Sequence, residues 1–172
     1  HYDYFDDLMD DLLGPEGWIS HGRESWIWSN GRFVPYPFQL NLHRLPDAAR
    51  EACVRGLRLT HASQPAQSPA HFSEWIDATF GTGIAHLFMR PYNTKTWACP
   101  LEEMDWRWIG DRVALVDLER VLQNIALRRD DTSWGPNNRF RFPRRGGTGA
   151  IWTSLGERIQ RSHPASVRLN HR

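Results

Sequence analysis

From about residue 45 to 133 the apolar residues recur at helical spacing, while the stretches on either side alternate as strands do. A chain patterned this way leaves one strand-bearing unit, builds a helical body and returns. The expected fold is therefore α+β, with a mostly helical insert between two flanks of strand character. The expected segments are 1–43, 44–133 and 134–172.

Local signals fill in this outline. Phe5, Leu8, Met9 and Leu12 share one helical face, and Gly14-Pro15 stops that helix. The run ESWIWSNGRFVPYPF places Asn30-Gly31 between two aromatic and β-branched stretches, which predicts a hairpin. Pro35 and Pro37 confine its second strand to an edge or cut it short. Pro46 suits a first helical turn, and Ala49, Ala52, Cys53 and Leu57 mark one side of the helix that follows. Residues 61–70 read as a polar, proline-containing loop. Ser73 is a candidate cap for a helix reaching Phe80 and ended by Gly81 and Gly83. A short helix is expected over Ile84–Met89, with Pro91 ending it. Asp117 is a candidate cap for an amphipathic helix carrying Leu118, Val121, Leu122 and Ile125. NRFRFP (138–143) predicts a strand, and RRGGTG leads into a last helix.

Composition narrows the class. The chain has 172 residues, 40% of them hydrophobic and 24% charged, which fits an ordered protein. A formal charge of +1 argues against a nucleic-acid partner. No apolar stretch predicts a membrane span, and the acidic opening HYDYFDDLMDDLL is unlike an export signal. Cys53 and Cys99 form no disulfide framework and fit a reducing, cytoplasmic setting. The eight histidines show no metal-binding spacing. The chain opens without methionine, so a fragment or processed piece of a longer protein is expected.

Residues 83–100 (GIAHLFMRPYNTKTWACP) concentrate the chemistry. Phe88, Tyr92 and Trp97 offer faces for stacking, while Arg90, Asn93 and Lys95 offer donors and charge. The run is either a ligand-binding surface or an irregular, tryptophan-rich core turn, and composition does not separate the two. The Gly146–Gly149 turn before a helix suits an anion or cofactor at its backbone amides, or simply tight backbone geometry. Arg139, Arg141, Arg144 and Arg145 interleave with Phe140 and Phe142, as in a nucleic-acid platform or, more plainly, a strand with a solvated basic face. Arg112 suits a diphosphate grip or an ion pair with Asp111 or Glu119.

Taken together and in order, HYDYFDDLMDDLL, WISHGRESW, GRFVPYPFQLN, GTGIAHLFMRPYNTKTWACP, MDWRWIGDRVA, SWGPNNRFRFP and RRGGTGAIW resemble the eukaryotic-type UDP-galactopyranose mutases. The resemblance implies a flavoprotein of amine-oxidase-like, FAD/NAD(P)-binding architecture. Residues 1–43 and 134–172 would belong to its FAD-domain and sheet region, and 44–133 would be the helical substrate-binding domain. It implies an isomerase that interconverts UDP-galactopyranose and UDP-galactofuranose for glycan or cell-wall biosynthesis. There the N5 of reduced FAD attacks the anomeric carbon and expels UDP, and the sugar ring opens and recloses.

By this resemblance Tyr36 and Phe88 sandwich the uracil ring, Gln39 and Asn93 lie near the same base, and Trp97 lines the sugar–diphosphate site. Arg112 and Asn137 match residues on two mobile loops and take catalytic roles. Arg23, Ser25, Gly146 and Gly147 lie toward the flavin. The family's dinucleotide-binding glycine fingerprint is absent, so the main FAD site is expected outside this chain, which alone would turn over nothing. Thr94 and Thr96 stand where the family carries bulkier residues. Expected partners are UDP-galactose and UDP-galactofuranose, with a homo-oligomer possible. Two other readings stay open: an FAD-dependent oxidoreductase of the amine-oxidase and protoporphyrinogen-oxidase group, and a non-enzymatic nucleotide-binding module.

Overall fold

The computed structural model describes residues 2–63, 68–110, 113–132, 138–166 and 168. It divides into two compact units, His1–Arg23 with Pro136–Arg172, and Glu24–Gly135. The first unit joins the two ends of the chain. In it α1 (Asp3–Leu13) ends at Gly14, whose φ of 72° suits a residue without a Cβ. Strand β1 (Trp18–Gly22) pairs antiparallel with β4 (Arg139–Pro143), Trp18 opposite Pro143 and Gly22 opposite Arg139. Sequence patterning anticipated β4 but not β1, whose residues alternate weakly. Helix α6 (Gly149–Ser162) follows a turn in which Gly146 and Gly147 have φ of 77° and 61°. Arg141 binds Asp6 at 3.0 Å and Asp10 at 2.6 Å and lies over the Trp18 ring, so the guanidinium is held within the unit.

The second unit holds the hairpin and the helices. Strands β2 (Trp26–Ser29) and β3 (Arg32–Pro35) pair through the predicted Asn30-Gly31 turn, both residues at positive φ. The hairpin lies with the helices in this unit, so the stretch 1–43 is divided between the two units. Two short 3₁₀ turns, Phe38–Leu40 and Leu42–Arg44, lead to α2 (Asp47–Ala62). Pro46 is the N-cap of α2.

Helix α3 (Phe72–Ile84) is capped by His71, whose side chain accepts from the Glu74 amide; the expected cap Ser73 is already inside the helix and buried. Gly81 breaks α3 with φ 70° and ψ 163°. The chain then runs on through a π-helical turn, Ala85–Met89, into α4 (Arg90–Trp97). Pro91 therefore does not end the helix. It sits in the first turn of α4, after a widened turn that relieves the ring's clash with the preceding carbonyl. Helix α5 (Leu118–Leu127) is capped as predicted by Asp117, which accepts from the amides of Glu119 and Arg120.

One core fills this unit, built from Val34, Phe38, Leu40, Leu57, Phe72, Ile76, Phe80, Ile84, Leu101 and Val121 among others. Each such side chain contributes about 1.5–3 kcal/mol by leaving water. Helices α2 and α3 approach closely at glycines: a Cβ on Gly81 would stand 2.4 Å from the Gly56 carbonyl carbon, and one on Gly83 2.5 Å from the Ala52 oxygen. No helix among the described residues is long and apolar enough to cross a membrane.

Candidate functional site

The π turn sets the geometry of the site. π-Helical turns inside α-helices recur at functional sites because they re-aim the side chains around them. Here two rows of residues, Phe88, Tyr92 and Thr96 beside Met89, Asn93 and Trp97, face one cavity of about 410 Å³. Tyr36 and Gln39 line it from the segment after β3, and Trp108 and Val113 complete it. The five residues expected to contact substrate, Tyr36, Gln39, Phe88, Asn93 and Trp97, thus share one hollow.

Inside, the rings are stacked. Phe88 is buried between neighbours, with Phe38 at 4.7 Å and Tyr92 at 5.0 Å, both near parallel. Tyr92 is 46% exposed, so it is the ring of this stack that a planar ligand meets first. Trp97 and Trp108 pack edge to face at 5.0 Å.

The polar groups are fixed. Asn93 donates to the Met89 carbonyl at 2.8 Å and accepts from the Trp97 indole at 3.3 Å. It thereby orients Trp97. Gln39, buried, donates from Nε2 to the Ala114 carbonyl at 2.7 Å, while its Oε1 has no hydrogen-bond partner among the described residues. A buried acceptor left unmet costs about 1–3 kcal/mol, so a donor from water or from a ligand that reaches it is favourable.

A second network holds the segment that carries Tyr36 and Gln39. Buried Asn41 donates to the carbonyls of Pro35, Pro37 and Asp131 and accepts from the Asp131 amide. Asn124 donates to the Leu40 carbonyl, and Arg120 grips the Asp131 carboxylate at 2.6 and 2.7 Å. The Tyr36–Pro37 peptide is cis.

Among the described residues the lining of the cavity carries no charged side chain. It suits a neutral planar group, and charge for an attached phosphate must come from neighbouring segments. Arg90 does not supply it, since it is engaged by Asp77 and Glu102. Arg112 precedes Val113 in the chain, but Arg112 and Asn137 both lie outside the described residues. Arg23, Gly146 and Gly147 belong to the first unit and Ser25 to the second, where its carbonyl accepts from the Tyr36 amide at 2.9 Å. Among the described residues no group of His, Cys, Asp and Glu is placed to hold a metal ion.

Sequence reasoning named Tyr92 as a stacking face and Thr96 as a departure from the family without assigning either a contact, and did not single out Met89, Trp108 and Val113. The i, i+4 spacing of 88–92–96 and 89–93–97 was the available signal for three of them.

No protein-family model matches the chain. Among solved structures, one of reduced UDP-galactopyranose mutase matches with 51% identity and a TM-score of 0.88, over 92% of this chain. The chain is similar to UDP-galactopyranose mutase along nearly its whole length. It spans 33% of that mutase chain. The mutase match covers both flanks and the helical middle, in agreement with the resemblance carried by the motifs.

Proposed function

We propose that this chain is the nucleotide-sugar-binding part of a UDP-galactopyranose mutase-like flavoenzyme, which interconverts UDP-galactopyranose and UDP-galactofuranose. The observation that carries the reading is the shared cavity of Tyr36, Gln39, Phe88, Asn93 and Trp97. Uracil enters between aromatic faces, and its imide N–H is the donor that the Gln39 Oε1 lacks. Binding energy from the base, remote from the reacting carbon, then orients the sugar. Arg112 meets the diphosphate and stabilises negative charge as UDP leaves, with Asn137 on the second closing loop.

Residues of this chain fit one edge of a flavin. Within the first unit the Gly146–Gly147 turn opens α6 without a side-chain cap, which suits an oxyanion or ring oxygen at its backbone amides, and Arg23 belongs to the same unit. Bound in reduced form, FAD supplies the nucleophilic N5. The chain's own residues bind the nucleotide, exclude water and hold the leaving group.

Calorimetric titration of the chain with UDP tests the reading. Saturable binding that is lost in Tyr36→Ala is expected; no heat at up to about 1 mM UDP contradicts it. In an enzyme containing this segment with the rest of the mutase length, Arg112→Ala lowers kcat by about a hundredfold. Turnover within a few-fold of the parent would remove Arg112 from the mechanism.

A further inference from the structure

A second hollow of about 680 Å³ lies beside the hairpin in the same unit, lined by a different chemistry. Its walls include Trp28 and Phe33, a cross-strand pair packed edge to face at 4.8 Å. Both rings remain largely exposed, at 64% and 60%. Four guanidinium groups, Arg32, Arg44, Arg50 and Arg128, line the same space. Arg44 is bound to Asp130 and Arg50 to Asp47. Arg32 and Arg128 make no ion pair among the described residues. Among the described residues four guanidinium groups are set against Asp47 in the lining and Asp130 behind Arg44, so the hollow keeps an excess of positive charge. His43 at its edge adds none at neutral pH, because burial lowers its pKa. The nucleotide cavity, by contrast, has no charged lining among the described residues.

We propose that this hollow is a separate site for a phosphate ester carrying a planar ring. The unpaired Arg32 and Arg128 take the phosphate through paired N–H donors, and the exposed Trp28–Phe33 faces take the ring. Neither feature alone suffices. Free arginines on a bare surface bind phosphate weakly, and exposed rings without charge select no anion. Their meeting in one concavity makes the combination selective. This site does not depend on the mutase reading, since it shares no residue with the nucleotide cavity.

The test is an indole N–H spectrum of the ¹⁵N-labelled chain, titrated separately with phenyl phosphate, inorganic phosphate and phenol. Trp26 and Trp28 signals are assigned from Trp→Phe variants. Phenyl phosphate is expected to shift them saturably and to bind about tenfold more tightly than inorganic phosphate or phenol. The double variant Arg32→Ser, Arg128→Asn should lose saturation while UDP still shifts Trp97 and Trp108. Asn is chosen at 128 because that residue has φ 48°, which Asn tolerates. Absence of a saturable shift below about 10 mM phenyl phosphate overturns the proposal. An unchanged response in the double variant, or shifts confined to Trp97 and Trp108, overturns it equally. Failure of UDP to bind, with the phenyl phosphate response intact, would count against the mutase reading alone.

Discussion

Gln39 is the residue on which the nucleotide reading turns. Its Nε2 is committed to the Ala114 carbonyl and its Oε1 has no partner among the described residues, so it is open to a donor on a ligand. Gln39→Met exchanges the unmet Oε1 for an unmet Ala114 carbonyl, two costs of similar size, so stability should change by less than about 1 kcal/mol in urea unfolding. UDP affinity should fall about tenfold, and unchanged affinity would show that the acceptor does not face the base. His43 makes a pH prediction. Desolvation lowers its pKa below 6.5 despite the opposing hydrogen bond to Asp130, so the folded chain holds it neutral. Its contribution is complete above pH 6.5, where the unfolded form is neutral too, and is lost as pH falls toward the lowered folded value. The urea midpoint should therefore drop between pH 7 and pH 5.5, and His43→Gln should flatten that drop. Cys53 is buried, and desolvation pushes its thiol up to about 12, whereas Cys99 is partly exposed. Iodoacetamide at pH 8 should modify Cys99 and spare Cys53 until the chain is unfolded; mass spectrometry reads the site.

At the scale of elements, the contact of α2 with α3 depends on glycine. Gly81 combines φ 70° with a Cβ position inside the Gly56 backbone, so neither strain nor clash can relax alone. Gly81→Ala should cost about 3 kcal/mol or more, measured as a lower urea midpoint with an unchanged slope. A loss under 1 kcal/mol would mean the helices can separate. Elements with strong local chemistry were legible in the sequence. Asn30-Gly31 determined the hairpin, Asp117 the start of α5, and Gly14 the end of α1. What was not legible depends on tertiary packing. Pro91 reads as a helix end until the widened π turn before it is known, because a local pattern does not report i→i+5 bonding. Ser73 looks like a cap, but burial draws it inside α3 and leaves His71 at the boundary. Strand β1 has no strong pattern of its own and is defined by its partner β4, more than a hundred residues away. The buried Asn41–Asp131–Asn124 network was invisible for the same reason, since its members are joined only by the fold.

At the scale of the molecule, the chain forms two compact units. Glu24–Gly135 contains every described residue that lines the proposed nucleotide cavity, and the joined ends of the chain carry the glycine turn proposed for the flavin. The motif resemblance supplied Tyr36, Gln39, Phe88, Asn93 and Trp97. Composition alone offered only an aromatic and polar pocket. The two rows of the π-bulged helix bring Phe88, Asn93 and Trp97 together, and the segment after β3 adds Tyr36 and Gln39. The central claim is that this cavity holds the base of a uridine diphosphate. An indole N–H spectrum recorded during UDP addition tests it directly, because Trp97 donates within the cavity wall and Trp108 packs against it. Saturable movement of the Trp97 and Trp108 signals, with Trp26 and Trp28 still, is the predicted result. Stationary Trp97 and Trp108 signals at saturating UDP would contradict the account.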